Sequence, residues 1–146
     1  MYTKITVFIE NKTFPRGNER EEPMHNNQSS EDYLETILIL SKQKPVVRSI
    51  DIVEELGYKK SSISVAMKNL RERNHIEMSK EGFITLTPSG RQIAEMIYDR
   101  HQCLTQWLTA LGVDPKVAAE DACQMEHVIS QESFEAIKKH IQKMAE

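Results

Sequence analysis

Cys123, Glu126 and His127 stand at i, i+3 and i+4 in the run Asp121-Ala122-Cys123-Gln124-Met125-Glu126-His127-Val128. The segment has helical character, and with ~3.6 residues per turn those three side chains share one face. A thiolate, a carboxylate and an imidazole are three of the protein donors that transition metals select. A second pair, Asp32 and Glu35, lies at i, i+3 on an early helix-forming stretch. Each residue alone has a plainer explanation: a core thiol, a surface acid, a packed histidine, or acids that favour a helix N-terminus. Their joint presence on segments expected to pack together favours a divalent-metal site.

The rest of the chain must position these groups. Its 146 residues suit one compact unit or two small ones sharing a core, and 39% hydrophobic with 28% charged residues is ordinary for a globular protein. No apolar run approaches the ~18 residues of a membrane span, and Met1 to Gln28 lacks the pattern of a secretory signal. Cys103 and Cys123 form no secreted disulfide framework, so a reduced, cytoplasmic setting is expected. The net charge of −3 is unevenly spread: Lys44 to Arg91 holds nine Lys/Arg against six Asp/Glu, whereas Gln92 to Glu146 holds five against nine. A basic middle beside an acidic end is compatible with a nucleic-acid partner for the former.

Residues 1–28 are expected to be an extension or linker: Ile5 to Ile9 could form a short strand, Asn11 to Asn27 is polar with Pro15, Gly17 and Pro23, and Met24 is a candidate natural start. Ser29 or Ser30 is the expected N-cap of a first helix, with Glu31 and Asp32 in its first turn and an apolar stripe running to about Lys42. A second helix is expected from Ser49 to Leu56, with Ile50, Ile52, Val53 and Leu56 inward and Gly57 ending it. A third, capped by Ser61 or Ser62, runs to about Arg73 on Ile63, Ala66, Met67 and Leu70. Ile76 to Met78 and Phe83 to Leu86 alternate as short strands around Lys80-Glu81-Gly82, a hairpin. A long helix from about Gly90 to Leu111, another from Asp114-Pro115 carrying the Cys/Glu/His cluster, and a last one from Ser133 to Lys143 complete the chain.

Two short helices joined through a glycine turn and followed by a glycine-tipped hairpin define a winged helix-turn-helix. The fold class is therefore mainly α: a winged helix-turn-helix DNA-binding domain over 29–92, then an all-helical domain over 93–146 that carries the candidate metal donors and that the resemblance described next implies to be the dimerisation domain. The recognition helix would offer Lys60, Ser61, Ser62 and Ser64 to the bases, with Val65 one turn on. Lys59, Lys68, Arg71 and Arg73 would neutralise phosphates, and Lys80 at the wing tip would do so across the minor groove. A solvated helix face explains such lysines singly, but not the ordered set of elements.

Several motifs resemble the DtxR/MntR family of metal-dependent repressors: Ser30-Glu31-Asp32-Tyr33-Leu34-Glu35, Lys60-Ser61-Ser62-Ile63-Ser64, Leu86-Thr87-Pro88-Ser89-Gly90, Arg100-His101, and Asp121 to Ser130. The resemblance covers residues 30 to about 141. It implies a homodimer that binds palindromic double-stranded operators when metal-loaded and represses metal-uptake genes. Carried over, the metal ligands would be Asp32, Glu35, His101, Cys123, Glu126 and His127. Asp32 resembles the manganese-sensing branch and Cys123 the iron-sensing branch. Thr105 replaces a glutamate of both branches and Ala119 a histidine of the iron branch, which speaks against an iron-type ancillary site. The SH3-like third domain of longer members is expected to be absent. Oxygen donors suit Mn²⁺ or Fe²⁺, the expected natural activators, while Cys123 pulls toward Fe²⁺, Co²⁺ or Zn²⁺, the last two as ions that could bind in vitro.

The expected mechanism is linkage: metal ties acids of the DNA-binding domain to donors of the dimer domain and sets the spacing of two recognition helices. One rival is a winged-helix regulator answering to an organic ligand or to thiol redox state. Another is a metalloenzyme, for which no nucleophile motif or phosphate loop is found, so no enzyme, no organic substrate and no membrane partner are expected.

Overall fold

The computed structural model describes residues 27–145. The linker, strand and alternative-start expectations for residues 1–26 lie outside that range. Six helices and one hairpin occur among the described residues: α1 (Asn27–Gln43), α2 (Ser49–Leu56), α3 (Lys60–Glu72), β1 (Ile76–Met78), β2 (Ile84–Leu86), α4 (Pro88–Ala110), α5 (Pro115–Met125) and α6 (Gln131–Met144). The chain divides into two compact units between Ile97 and Tyr98, within α4.

In the N-terminal unit α1 packs against α2, α3 and β2. Tyr33 to Leu40 are all buried, a stretch sequestered on every side rather than along one stripe, and it includes Glu35. Leu34, Ile37 and Leu38 join Ile52 and Leu56 of α2, Ile63, Met67 and Leu70 of α3, and Ile76 and Ile84 of the hairpin in the buried apolar set. Gly57 ends α2 at φ 71°, where a side chain would be strained, and its N–H bonds Val53 O at 2.8 Å. The strands pair antiparallel with Ile76 opposite Leu86 and Met78 opposite Ile84. Ile84 N–H also donates to Val47 O at 2.7 Å, which fastens the wing to the turn before α2.

Several local expectations need correction. α1 begins at Asn27, so Ser29 and Ser30 are helical rather than N-caps, and Glu31 and Asp32 fall beyond its first turn. No proline or glycine stands between Asn27 and Ser30 to stop the helix there. α3 is entered through Lys59, not Ser61 or Ser62, with no side-chain cap. Ile50 is 41% exposed rather than inward, and Phe83 precedes the paired strand. α4 starts at Pro88, whose fixed φ and missing N–H suit a first helical position.

The C-terminal unit contains the rest of α4 with α5 and α6. Asp114 caps α5 by accepting from Lys116 N at 3.0 Å, and Ser130 caps α6 by accepting from Ser133 N at 3.1 Å. The buried set is Leu104, Ala118, Ala119, Ala122 and Phe134, joined by the polar side chains Arg100, His101 and Glu126. Among the described residues no helix is long and apolar enough to cross a membrane.

Candidate metal centre and nucleic-acid interface

α5 ends at Met125, so only Cys123 of the three spaced donors lies within it; Glu126 is its C-cap residue, and His127 begins the turn to α6. This corrects the expectation of a helix carrying all three. The backbone stays near-helical at Glu126 (φ −60°, ψ −25°), where its N–H bonds Ala122 O, so the convergence of Cys123 and Glu126 survives.

His101 of α4 completes the cluster. Its Nδ1 lies 2.8 Å from Glu126 Oε2 and 3.7 Å from Cys123 Sγ. His101 and Glu126 have side chains only 2% and 0% exposed. On the other side of the carboxylate, His127 Nε2 is 3.3 Å from Glu126 Oε1. One donor atom each from His101, Cys123 and Glu126 lies within 4.8 Å of the other two.

This arrangement fits a divalent transition metal. The 3.7 Å between the Cys123 sulfur and the His101 nitrogen lets both reach one ion, and the Glu126 oxygen, hydrogen-bonded to that nitrogen at 2.8 Å, would exchange that bond for coordination. A buried carboxylate with no such partners would be costly.

The second thiol behaves differently. Burial pushes the Cys103 thiol up from its ordinary value, and the Asp99 charge adds to that. Its S–H donates to Asp99 Oδ1 at 3.7 Å, and Asp99 Oδ2 pairs with Lys138 Nζ at 3.0 Å. Both cysteines are free.

Asp32 and Glu35 lie on α1 of the N-terminal unit, one helical turn apart, with Glu35 fully buried and Asp32 half-buried. The DNA-facing candidates also fall in that unit. α3 buries Ile63, Ala66, Met67 and Leu70 and exposes Lys60, Ser61, Ser64, Val65, Lys68 and Arg71 on the remaining faces, with Ser62 half-buried. Lys59, Arg73 and Lys80 are exposed. A buried apolar seam opposite an open Ser/Lys/Arg surface is the arrangement a major-groove helix needs. Arg100, given no role from the sequence, makes three hydrogen bonds to the α5–α6 segment, and its place beside His101 was the available signal.

Comparison with known proteins agrees with both halves. Residues 27–84 match the family model described as "Iron dependent repressor, N-terminal DNA binding domain", and residues 87–146 match "Iron dependent repressor, metal binding and dimerisation domain". The chain is 30% identical over 133 residues to the transcriptional regulator MntR of Salmonella typhimurium, covering 91% of this chain and 85% of that one. It is 33% identical over 109 residues to the HTH-type transcriptional regulator MntR of Bacillus pumilus, covering 75% and 76%. A solved structure titled as a manganese-dependent transcriptional repressor in complex with manganese aligns at TM-score 0.71 and 26% identity, over 77% of this chain and 52% of that one. The manganese regulator SloR shares the fold at TM-score 0.70 and 24% identity, and the present chain spans about half its length (53%). Fold and matches together define a metal-dependent transcriptional regulator with a winged helix-turn-helix, a class of DNA-binding proteins rather than enzymes. The chain belongs to the DtxR/MntR family of metal-dependent transcriptional repressors.

Proposed function

We propose that this protein is a cytoplasmic homodimeric repressor that senses Mn²⁺ or Fe²⁺ and controls genes of metal homeostasis. The observation that carries the proposal is the gathering of buried His101 and Glu126 with half-buried Cys123 in the segment matched by the metal-binding family model. In this reading residues 29–92 read DNA and residues 93–146 bind metal and dimerise. His101, Cys123, Glu126 and His127 are the C-terminal donors, and Asp32 and Glu35 are those of the N-terminal unit. A divalent ion held by His101, Cys123 and Glu126 would supply two positive charges that offset the Cys123 thiolate and the Glu126 carboxylate.

The oxygen donors favour Mn²⁺ or Fe²⁺, and the names of the relatives support manganese; the Cys123 sulfur shifts preference toward Fe²⁺ and Zn²⁺. On the DNA side, Lys60, Ser61, Ser62, Ser64 and Val65 contact bases in this reading. Lys59, Lys68, Arg71, Arg73 and Lys80 contribute phosphate contacts, whose affinity falls with rising salt. A two-fold dimer matches a palindrome with half-sites ~34–36 Å apart.

The test is selection from a randomised duplex library, followed by anisotropy titration of the enriched sequence in Mn²⁺, in anaerobic Fe²⁺ and in chelator. A palindrome bound roughly 5–150-fold more tightly with metal is the expected result. Equal affinity in metal and chelator would leave a winged-helix regulator answering to another signal.

A further inference from the structure

Arg100 and His101 are consecutive on α4, and both engage Glu126. His101 Nδ1 meets its carboxylate at 2.8 Å, while Arg100 Nη1 donates to its backbone carbonyl at 3.1 Å. The same Nη1 donates to Ile129 O at 2.9 Å, and Nη2 donates to Gln131 Oε1 at 2.8 Å. The guanidinium carbon stands 5.4 Å from the Phe134 ring centroid. Arg100 is only 7% exposed.

These contacts converge on one short segment. α5 stops at Met125 and α6 starts at Gln131, so residues 126–130 form the connection, and two donors, Glu126 and His127, sit at its beginning. The last carbonyls of a helix lack intrahelical partners, and a cation there is favoured by the helix dipole. The guanidinium satisfies Glu126 O, closes on Ile129 O across the turn, and reaches the first residue of the next helix. A planar fork with fixed donor directions can do this; a lysine ammonium reaches such positions one at a time. Burying a guanidinium is costly, and here all three hydrogen bonds go to neutral oxygens, so ordinary ion pairing does not account for its placement.

We propose that Arg100 is a positioning residue for the metal centre: it locks the α5–α6 turn so that the Glu126 carboxylate and the His127 ring are set before the ion arrives, without itself touching it. The inference rests on the metal-binding reading given above. Cys123 lies inside α5, before the turn, so the sulfur donor is held independently of Arg100. Loss of Arg100 therefore weakens the oxygen and imidazole side of the centre and spares the sulfur side.

Co²⁺ reports the two sides separately, through a thiolate charge-transfer band and through visible ligand-field bands. Wild type, Arg100→Gln, Arg100→Lys, Gln131→Ala and Cys123→Ser are titrated with Co²⁺, with circular dichroism as a folding control. Arg100→Gln is expected to keep the thiolate band, alter the ligand-field bands and bind Co²⁺ about 10–100-fold more weakly. Arg100→Lys should recover part of that loss. Gln131→Ala, at an exposed site, removes one bond from Arg100 and a surface bond to Glu135; it should weaken binding several-fold and supplies the answer if Arg100→Gln does not fold. Wild-type affinity and ligand-field bands in Arg100→Lys and Gln131→Ala would overturn the positioning role, leaving Arg100 a helix cap that affects melting temperature alone. A wild-type protein without a thiolate band, or one whose band persists in Cys123→Ser, would instead overturn the metal reading on which the inference stands.

Discussion

The His101 imidazole and the Glu126 carboxylate, 25 residues apart in the chain, meet at 2.8 Å with side chains 2% and 0% exposed. A carboxylate so deeply buried is tolerated because it is hydrogen-bonded, and its second oxygen faces His127 at 3.3 Å. Glu126→Gln keeps the volume and an accepting oxygen but removes the charge that a cation needs. It is expected to fold and to lose at least about 10–100-fold in Mn²⁺ or Co²⁺ affinity, by analogy with removal of groups that merely support ligands. Unchanged affinity in a competition titration would sink its assignment as a donor.

Cys123 determines which ions the centre favours. Cys123→Ser exchanges a soft sulfur for a hard oxygen, so Zn²⁺ and Co²⁺ affinity should fall by tenfold or more, while Mn²⁺ affinity changes less. Parallel competition titrations with the three ions check this. Equal losses for Mn²⁺ and Zn²⁺ would mean that the thiol supports the site without selecting its metal.

What could be read from the sequence followed the range of the forces involved. The helix-turn-helix and wing were legible because apolar spacing in α3 and the glycines at 57 and 82 are local signals, and both glycines do sit at positive φ. Cys123 and Glu126 were legible because one helical turn separates them. His101 entered as a ligand only through the family resemblance, since its partners are 22 and 25 residues away. The end of α5 was missed for the same reason: a guanidinium on another helix takes up the Glu126 carbonyl, and no property of residues 121–130 announces it. Asn74, the residue expected to close α3, sits just past its end at φ 61°, as asparagine tolerates; what the sequence did not show is that its carbonyl accepts from Thr87 and Ser89.

That corner yields another prediction. Thr87 Oγ1 donates to Asn74 O at 2.6 Å, Ser89 Oγ donates to the same oxygen at 3.2 Å, and Gly90 packs on the backbone of His75. A Cβ at Gly90 would overlap the His75 carbonyl oxygen, which is backbone and cannot swing aside. Gly90→Ala should therefore cost about 2–3 kcal/mol, the upper range for overpacking, and weaken DNA binding by disturbing the junction of α3, wing and α4. Gly82→Ala is the control: its Cβ meets open space, so only left-handed strain of about 1–2 kcal/mol applies. Chemical denaturation of both variants ranks them, and a milder loss for Gly90→Ala would show that the corner yields.

The start of α2 should show a pH-dependent contribution. Asp51 Oδ1 accepts from Lys44 Nζ at 2.8 Å and Oδ2 accepts from Arg48 N at 2.8 Å. The hydrogen bond from Lys44, then that from the Arg48 backbone, holds the Asp51 carboxyl below the ordinary aspartate range. A folded-state value below the unfolded one stabilises the fold at pH values above the unfolded value of ~3.9, and that contribution disappears as pH falls through the folded value. The Lys44 side chain is 42% exposed, so solvent screens most of the ion pair and the N–H cap carries the larger share. Asp51→Ala, which removes that acceptor, is thus expected to cost about 1 kcal/mol near neutral pH. The difference from wild type should narrow as the pH drops below about 4, once the native carboxyl is itself protonated. Urea unfolding at pH 7, 5 and 3 measures the trend; a gap that widened on acidification would contradict the assigned sign and the capping role with it.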